Sequence, residues 1–274
     1  MRICFAACLL CVATTASAQI VRVAELNAAQ IRALDRSKTV VMLTGGMLEQ
    51  HGPYLPAYTD GILSERLTQE IARTVIAKKP GWTVLLFPQI PFGSTGSNDI
   101  GNQPSFPGTY TVRPSTLRAV FMDLASELGD QGFRWIMVVH VHGAPLHGGM
   151  DEHSLILHLR PDLVAPGYNS APAITGQSQQ ESFDVAKKAG WPGYIGSPRL
   201  ATAAFGEKIW NAFASAASDQ TLKILDGADP SSIPRYADIL EKNPLYQKEW
   251  IAPAKARDDA LGAKEREWLQ RKQR

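Results

Sequence analysis

Short β-branched runs alternating with helix-length amphipathic stripes constrain this chain more than any other feature. Thr39-Val40-Val41-Met42-Leu43 reads as a buried strand. Ile62, Leu63, Leu67, Ile71 and Val75 then recur at helical spacing, and a second apolar run extends from Trp82 to Phe87. Leu117, Val120, Phe121, Leu124 and Leu128 make another helical stripe ahead of the strand-like Trp135-Ile136-Met137-Val138-Val139. Strands joined by helical crossovers pair in parallel, and such a sheet must be covered on both faces. The sequence therefore predicts an α/β domain around a largely parallel sheet. Asn27 with Gln30 has the form of a capping box for a first helix to about Leu34. With 45% apolar residues and a net charge of +2, residues 19–274 suffice for a single core and a single domain.

Chemistry gathers just past the ends of two of these strands, where open α/β sheets place their sites. After the first comes Glu49-Gln50-His51-Gly52-Pro53-Tyr54-Leu55-Pro56-Ala57-Tyr58-Thr59-Asp60. Glu49 and His51 are one residue apart, so an extended backbone points both side chains the same way. Asp60 could bridge what they hold, and Gly52, Pro53 and Pro56 stiffen the connection. Of the 6 His, only His51 lies outside the stretch from His140 to His158. The strand ending at Val139 delivers His140-Val141-His142 to the same edge, with the same alternation. Imidazole and carboxylate without thiolate suit Zn, Mn, Fe or Co, and a shared Asp suits a two-metal site. All 3 Cys precede residue 12, and no Gly-x-Ser-x-Gly elbow occurs, so no rival nucleophile stands out. The small-residue loop Gly93-Ser94-Thr95-Gly96-Ser97-Asn98-Asp99 lacks a Walker lysine and a Rossmann spacing.

These motifs resemble the creatininase family of metal-dependent amidohydrolases. The resemblance spans most of residues 19–274. It rests on Glu49-Gln50-His51-Gly52-Pro53-Tyr54-Leu55-Pro56 with Thr59-Asp60, on Phe106-Pro107-Gly108-Thr109, and on His142-Gly143-Ala144-Pro145 after a strand. Gly193-Tyr194-Ile195-Gly196-Ser197-Pro198 is similar to a family turn before a last long helix. The resemblance implies a three-layer α/β/α sandwich, a centre of up to two divalent metals (Zn, or Mn or Fe), hydrolysis of a small amide or cyclic amide, and a homo-oligomer, commonly a hexamer. By position it implies Glu49 on one metal with His142, His51 on the other, and Asp60 bridging. His140 falls on a non-ligand position. His147-Gly148-Gly149-Met150-Asp151-Glu152-His153-Ser154 is similar to a later family motif, which implies proton transfer by His147 with Glu152 orienting it or binding metal.

Two departures stand out. Family members separate the two His-containing motifs by some tens of residues, whereas here they run together at His147, as if a segment were missing. Ala144 stands where creatinine-hydrolysing relatives carry a Glu, which argues against creatinine as substrate. A catalytically silent homologue and a metal-binding protein built on the His140 to His158 cluster are therefore the alternative classes.

Arg2, the apolar run from Ile3 to Val12 and Ala16-Ser17-Ala18 before Gln19 read as a cleaved signal peptide, residues 1–18, and predict a periplasmic protein. The run is too short to span a membrane. Ala171 to Gln180 reads as a loop, a helix is expected from about Leu200 to Ala217, and a charged helix from about Ala254 to Gln273. Leu245, Tyr246, Trp250 and Trp268 are candidates for an oligomer contact. Basic residues form no stripe interleaved with aromatics, which disfavours nucleic acid as a partner.

Overall fold

The computed structural model describes residues 18–94, 96, 106–142, 147–233 and 242–272. Its sheet contains β1 (Gln19–Arg22), β2 (Thr39–Thr44), β3 (Thr83–Leu86) and β4 (Trp135–Val139). The order is β1-β3-β2-β4 and every pairing is parallel. Val41 lies level with Leu85 on one side and Ile136 on the other, so β2 and β3 occupy the middle. β1 is a strand that the sequence did not announce, because four residues carry too little periodicity to register.

All six residues of β2 are buried, as a central parallel strand requires. Alternate side chains go to opposite faces. Val40, Met42, Val84 and Leu86 join a core with Leu63, Leu67, Ile71 and Val75 of α2 (Thr59–Lys78) and Ile156 of α4 (Met150–Leu159). Trp210 and Ala214 of α6 (Ala203–Leu225) close it. Val41, Leu43 and Leu85 face the other way, against Leu128, Phe121 and Leu124 of α3 (Pro114–Asp130), with Leu34 beyond the short α1 (Ala28–Arg32). Burying each such side chain stabilises the fold by about 1.5–3 kcal/mol. Helices on both faces of a parallel sheet make the α/β/α sandwich that the sequence predicts.

Local signals behave as written. The Asn27 side chain accepts from Ala29 N and Gln30 N while Gln30 returns to Asn27 N, closing the capping box. Thr202 caps α6, which runs beyond the expected end at Ala217. The segment from Ala171 is a loop only to Ser178, where α5 (Gln179–Ala186) begins. Phe183 and Ala186 of α5 build a third cluster with Trp191, Ile195 and Tyr246. Tyr246 also accepts a hydrogen bond from Gln179 Nε2 at 2.7 Å, and Leu245 packs on the same cluster. Both residues therefore pack within the subunit. Trp268 is exposed on α7 (Ala252–Lys272), and the Trp250 side chain lies outside what is described. Arg113–Glu265 and Ser115–Asp258 contacts lay α7 along the start of α3. Residues 1–17, nearly all of the expected signal peptide, and most of the Gly93–Asp99 loop fall outside the described residues, among which no helix is long and apolar enough to cross a membrane.

Candidate metal centre

Three connections at the C-terminal edge of the sheet deliver the ionisable residues. The chain leaving β2 is held by Glu49 N donating to Ala57 O at 2.7 Å and by a bridge between Leu48 and Tyr110, which fixes Glu49, Gln50 and His51. Asp60 stands in the first turn of α2, where the helix dipole favours a carboxylate. His142 follows β4 by three residues, and His147 with Glu152 comes at the start of α4. Glu49, His51 and Asp60 are 2%, 1% and 2% exposed, so the sequence has placed three ionisable groups in its interior. Such groups persist only when paired or when they hold a cation.

Donor atoms converge in two sets that share Asp60. Asp60 Oδ2 lies 2.9 Å from His142 Nδ1, and Glu49 Oε2 lies 3.2 Å from the same nitrogen. Asp60 Oδ1 lies 3.4 Å from His51 Nε2, with Glu152 Oε1 at 3.7 Å. Within each of the sets Glu49, Asp60, His142 and His51, Asp60, Glu152, one donor atom per residue lies within 4.8 Å of the others, a spacing that admits a metal ion. His147 completes a third grouping with Glu49 and His51, its Nδ1 3.7 Å from Glu49 Oε1 and its ring centroid 4.3 Å from that of His51, tilted by 40°.

Backbone contacts orient the imidazoles. His51 Nδ1 donates to Glu49 O at 2.8 Å, which leaves Nε2 as the acceptor nitrogen of the neutral ring. That Nε2 is buried and has no hydrogen-bond partner, although two carboxylate oxygens face it. A lone pair aimed at carboxylates is repelled unless a cation or a proton lies between them. A ligating His commonly donates its second nitrogen to a carbonyl, so this orphan fits a metal. His147 Nε2 donates to Gln50 O at 2.5 Å, and Nδ1 is left toward the centre. Ile195 N in turn donates to His147 O at 2.6 Å, so the turn after Trp191 supports His147.

Charge balance follows from the crowding. Burial alone pulls the His51 pKa down, but Glu152 and Asp60 outweigh it and hold the imidazole well above its ordinary value. Burial likewise opposes charge on His142, and Glu49 and Asp60 raise it well above that value. Burial pushes the carboxyls of Asp60 and Glu49 up, yet the neighbouring imidazoles, His51 and His142 for the first and His147 and His142 for the second, bring both below the usual carboxylate range. His147 goes the other way, because burial, aided by the nearby His51, lowers it against the pull of Glu49. It is the ring most readily neutral. His140, also lowered by burial and by His142, packs its ring against Gly45 and belongs to none of the three donor sets.

All six residues singled out from sequence therefore meet at one centre. Glu152 sits with His51 and Asp60 rather than solely beside His147. Residues 143–146, including Ala144, lie outside the described residues. Missed from sequence were Ser64 and Gln89. Gln89 Nε2 donates to Gly45 O at 3.0 Å and to Gly61 O at 2.7 Å, tying the exit of β2 to the turn that carries Asp60. A lone Gln in a loop after a strand carries no sequence signal for such a task.

Comparison with known proteins identifies a family. Residues 24–146 and 144–220 match the creatininase family, described as creatinine amidohydrolase, and the two pieces meet where the His motifs run together. The mycofactocin precursor peptide peptidase of Mycolicibacterium smegmatis is 26% identical over 234 residues, covering 71% of this chain and 89% of its own. The creatinine amidohydrolase of Pseudomonas putida is 28% identical over 103 residues, 38% of this chain and 37% of its own. A solved creatinine amidohydrolase structure superposes with a TM-score of 0.58 at 22% identity, over 76% of this chain and 99% of its own. Solved creatininases of the same fold include a manganese form and a zinc–zinc form.

Proposed function

Taking as premise that this chain belongs to the creatininase family, we propose that it is a metal-dependent hydrolase of an amide C–N bond, with two divalent ions sharing Asp60. The observation that carries this reading is the orphaned, buried His51 Nε2, which faces Asp60 and Glu152 beside a second donor set on the other oxygen of Asp60. Glu49 and His142 would hold one ion, His51 and Glu152 the other. Zn or Mn suits these N and O donors. Bound there, divalent metal supplies a water acidified toward neutral pH and charge stabilisation for the carbonyl oxygen.

The chain's own residues do the rest. Asp60, fixed at the start of α2, sets the separation of the two donor sets. His147 accepts at Nδ1, since Nε2 is engaged by Gln50 O, the proton that the attacking water gives up as it adds to the carbonyl, and passes it to the nitrogen that leaves as the C–N bond breaks. Its lowered pKa keeps the ring neutral and able to accept. Small amides and cyclic amides are the substrate class suggested by the family, and the peptidase relatives extend the search to short peptides. Ala144 argues against creatinine. Arg2, the run from Ile3 to Val12 and Ala16-Ser17-Ala18 support an exported, periplasmic protein.

Metal content per subunit, measured on purified protein beside Asp60→Ala, tests the reading. About two ions in the parent, lost together in the variant, are expected. No metal in the parent, or full retention in Asp60→Ala, would overturn it. Two ions with no hydrolysis of any amide or peptide tried would favour the catalytically silent reading.

A further inference from the structure

Ser64 is fully buried one turn beyond Asp60 on α2, and its hydroxyl joins the two elements that bring ligands to the first donor set. Ser64 Oγ donates to Asp60 O at 2.7 Å and accepts from Val141 N at 2.8 Å. Asp60 and His142 lie next to those two backbone groups. Val141 has left β4, so neither strand ladder nor helix supplies its N–H with a partner; the serine does. We propose that Ser64 is a positioning residue for the metal centre, setting the distance between Asp60 and His142 and hence the affinity of the set Glu49, Asp60, His142. This rests on the metal-centre reading above.

A hydroxyl inside a helix ordinarily returns to the carbonyl four residues back and loosens the helix slightly, so its presence in a buried turn invites a reason. Here the same oxygen still has a lone pair, and the backbone N–H before a ligand histidine uses it. Two further hydroxyls stand behind it. Thr68 Oγ1 donates to Ser64 O at 2.8 Å and Thr44 Oγ1 donates to Thr68 Oγ1 at 3.0 Å, which carries the connection to the end of β2. The hydrogen bonds of Thr68 run to Ser64 O and Thr44 Oγ1 and not to Asp60 or Val141, so the pair of hydroxyls separates positioning from general packing. The second set shares Asp60, but its other two members, His51 and Glu152, come from other segments, so it should respond less.

Cobalt(II) is the probe, titrated into metal-stripped protein and followed by equilibrium dialysis and visible absorption. Ser64→Ala is expected to weaken one of two bound ions by about 10–100-fold, the usual consequence of removing a group that orients a ligand, while the other stays within a few-fold. Thr68→Ala should lower the melting temperature without splitting the two affinities. Ser64→Cys, nearly the same size with a weak acceptor, should repeat the selective loss if the alanine variant does not fold, and Ser64→Thr, which keeps the hydroxyl, should restore binding. Parent protein that binds two ions together with Ser64→Ala or Ser64→Cys of unchanged affinities would overturn the role of Ser64 alone. Equal weakening by Thr68→Ala would overturn it too, by reducing it to packing. Parent protein that binds no cobalt would remove the metal-centre reading and this inference with it.

Discussion

At the scale of single residues, placement of hydrogens on two imidazoles decides the chemistry. His51 and His147 each donate one ring nitrogen to a backbone carbonyl, at Glu49 and Gln50, and each keeps the other for the centre. The rings differ in charge preference because their neighbours differ. His51 has two carboxylates, Asp60 and Glu152, at its free nitrogen, whereas Nδ1 of His147 faces Glu49 alone, at 3.7 Å, and the ring lies against that of His51. A metal can replace the proton on the first, and a substrate proton can move to the second. His147→Ala is therefore expected to lower kcat by about 10²–10⁴-fold, the range for a positioned proton carrier, while metal content stays at the parent value. Loss of metal in that variant would instead make His147 a ligand, in keeping with its grouping with Glu49 and His51. His153, fully buried next to Glu152, has its own orphaned Nε2 among Tyr54 and Tyr168, and nothing in the structure explains it.

At the scale of elements, the centre depends on helices approaching closely. A Cβ at Gly206 of α6 would come within 1.8 Å of Ser154 O on α4, the helix that carries Glu152, and Ser154 Oγ also accepts from Thr202 N at 3.1 Å. Gly206→Ala must push the two helices apart. Destabilisation of about 1–3 kcal/mol is expected from such overpacking, read as a lower midpoint in urea, with weaker metal binding at the His51 set. The C-terminal segment is held differently. Lys187 beyond α5 pairs with Glu249, and that ion pair, with support from Lys248 and Gln180, draws the Glu249 carboxyl down to about 2. A carboxyl lowered in the folded state gives stability that is complete above its unfolded value and disappears as pH falls through the folded one. Docking of the segment should thus weaken between about pH 4.5 and pH 2. Proteolysis at the junction before α7, followed against pH, checks this, and Lys187→Met should move the onset of cleavage upward in pH.

At the scale of the whole molecule, an ion held as proposed, by residues that follow β2 and β4 and by residues of α2 and α4, would tie together segments far apart in sequence. Metal removal should therefore lower stability globally rather than locally. Each ion present at a hundred times its dissociation constant contributes about 2.7 kcal/mol, and about 2–4 °C of melting temperature accompanies each kcal/mol in a chain of this size. Calorimetry with and without a chelator measures the difference, and an unchanged midpoint would argue against a structural coupling of the centre to the fold.

Much of this was legible in the chain itself. The family resemblance added His147 and Glu152; apolar periodicity located β2, β4, α2 and α3, the Asn27 and Gln30 pair announced the first helix, and the spacing of Glu49, His51, Asp60 and His142 named the candidate centre. These are local patterns, fixed by the geometry of strands and helices and by what donors metals accept. The tertiary structure alone decided that β1 completes the sheet, that Tyr246 is spent in a subunit core, that Glu152 faces His51, and that Ser64 and Gln89 hold the ligand-bearing turns. Those outcomes rest on hydrogen bonds and contacts between residues tens of positions apart, whose distances no local pattern encodes; the sequence supplies the donors, and only the packed chain sets the space between them.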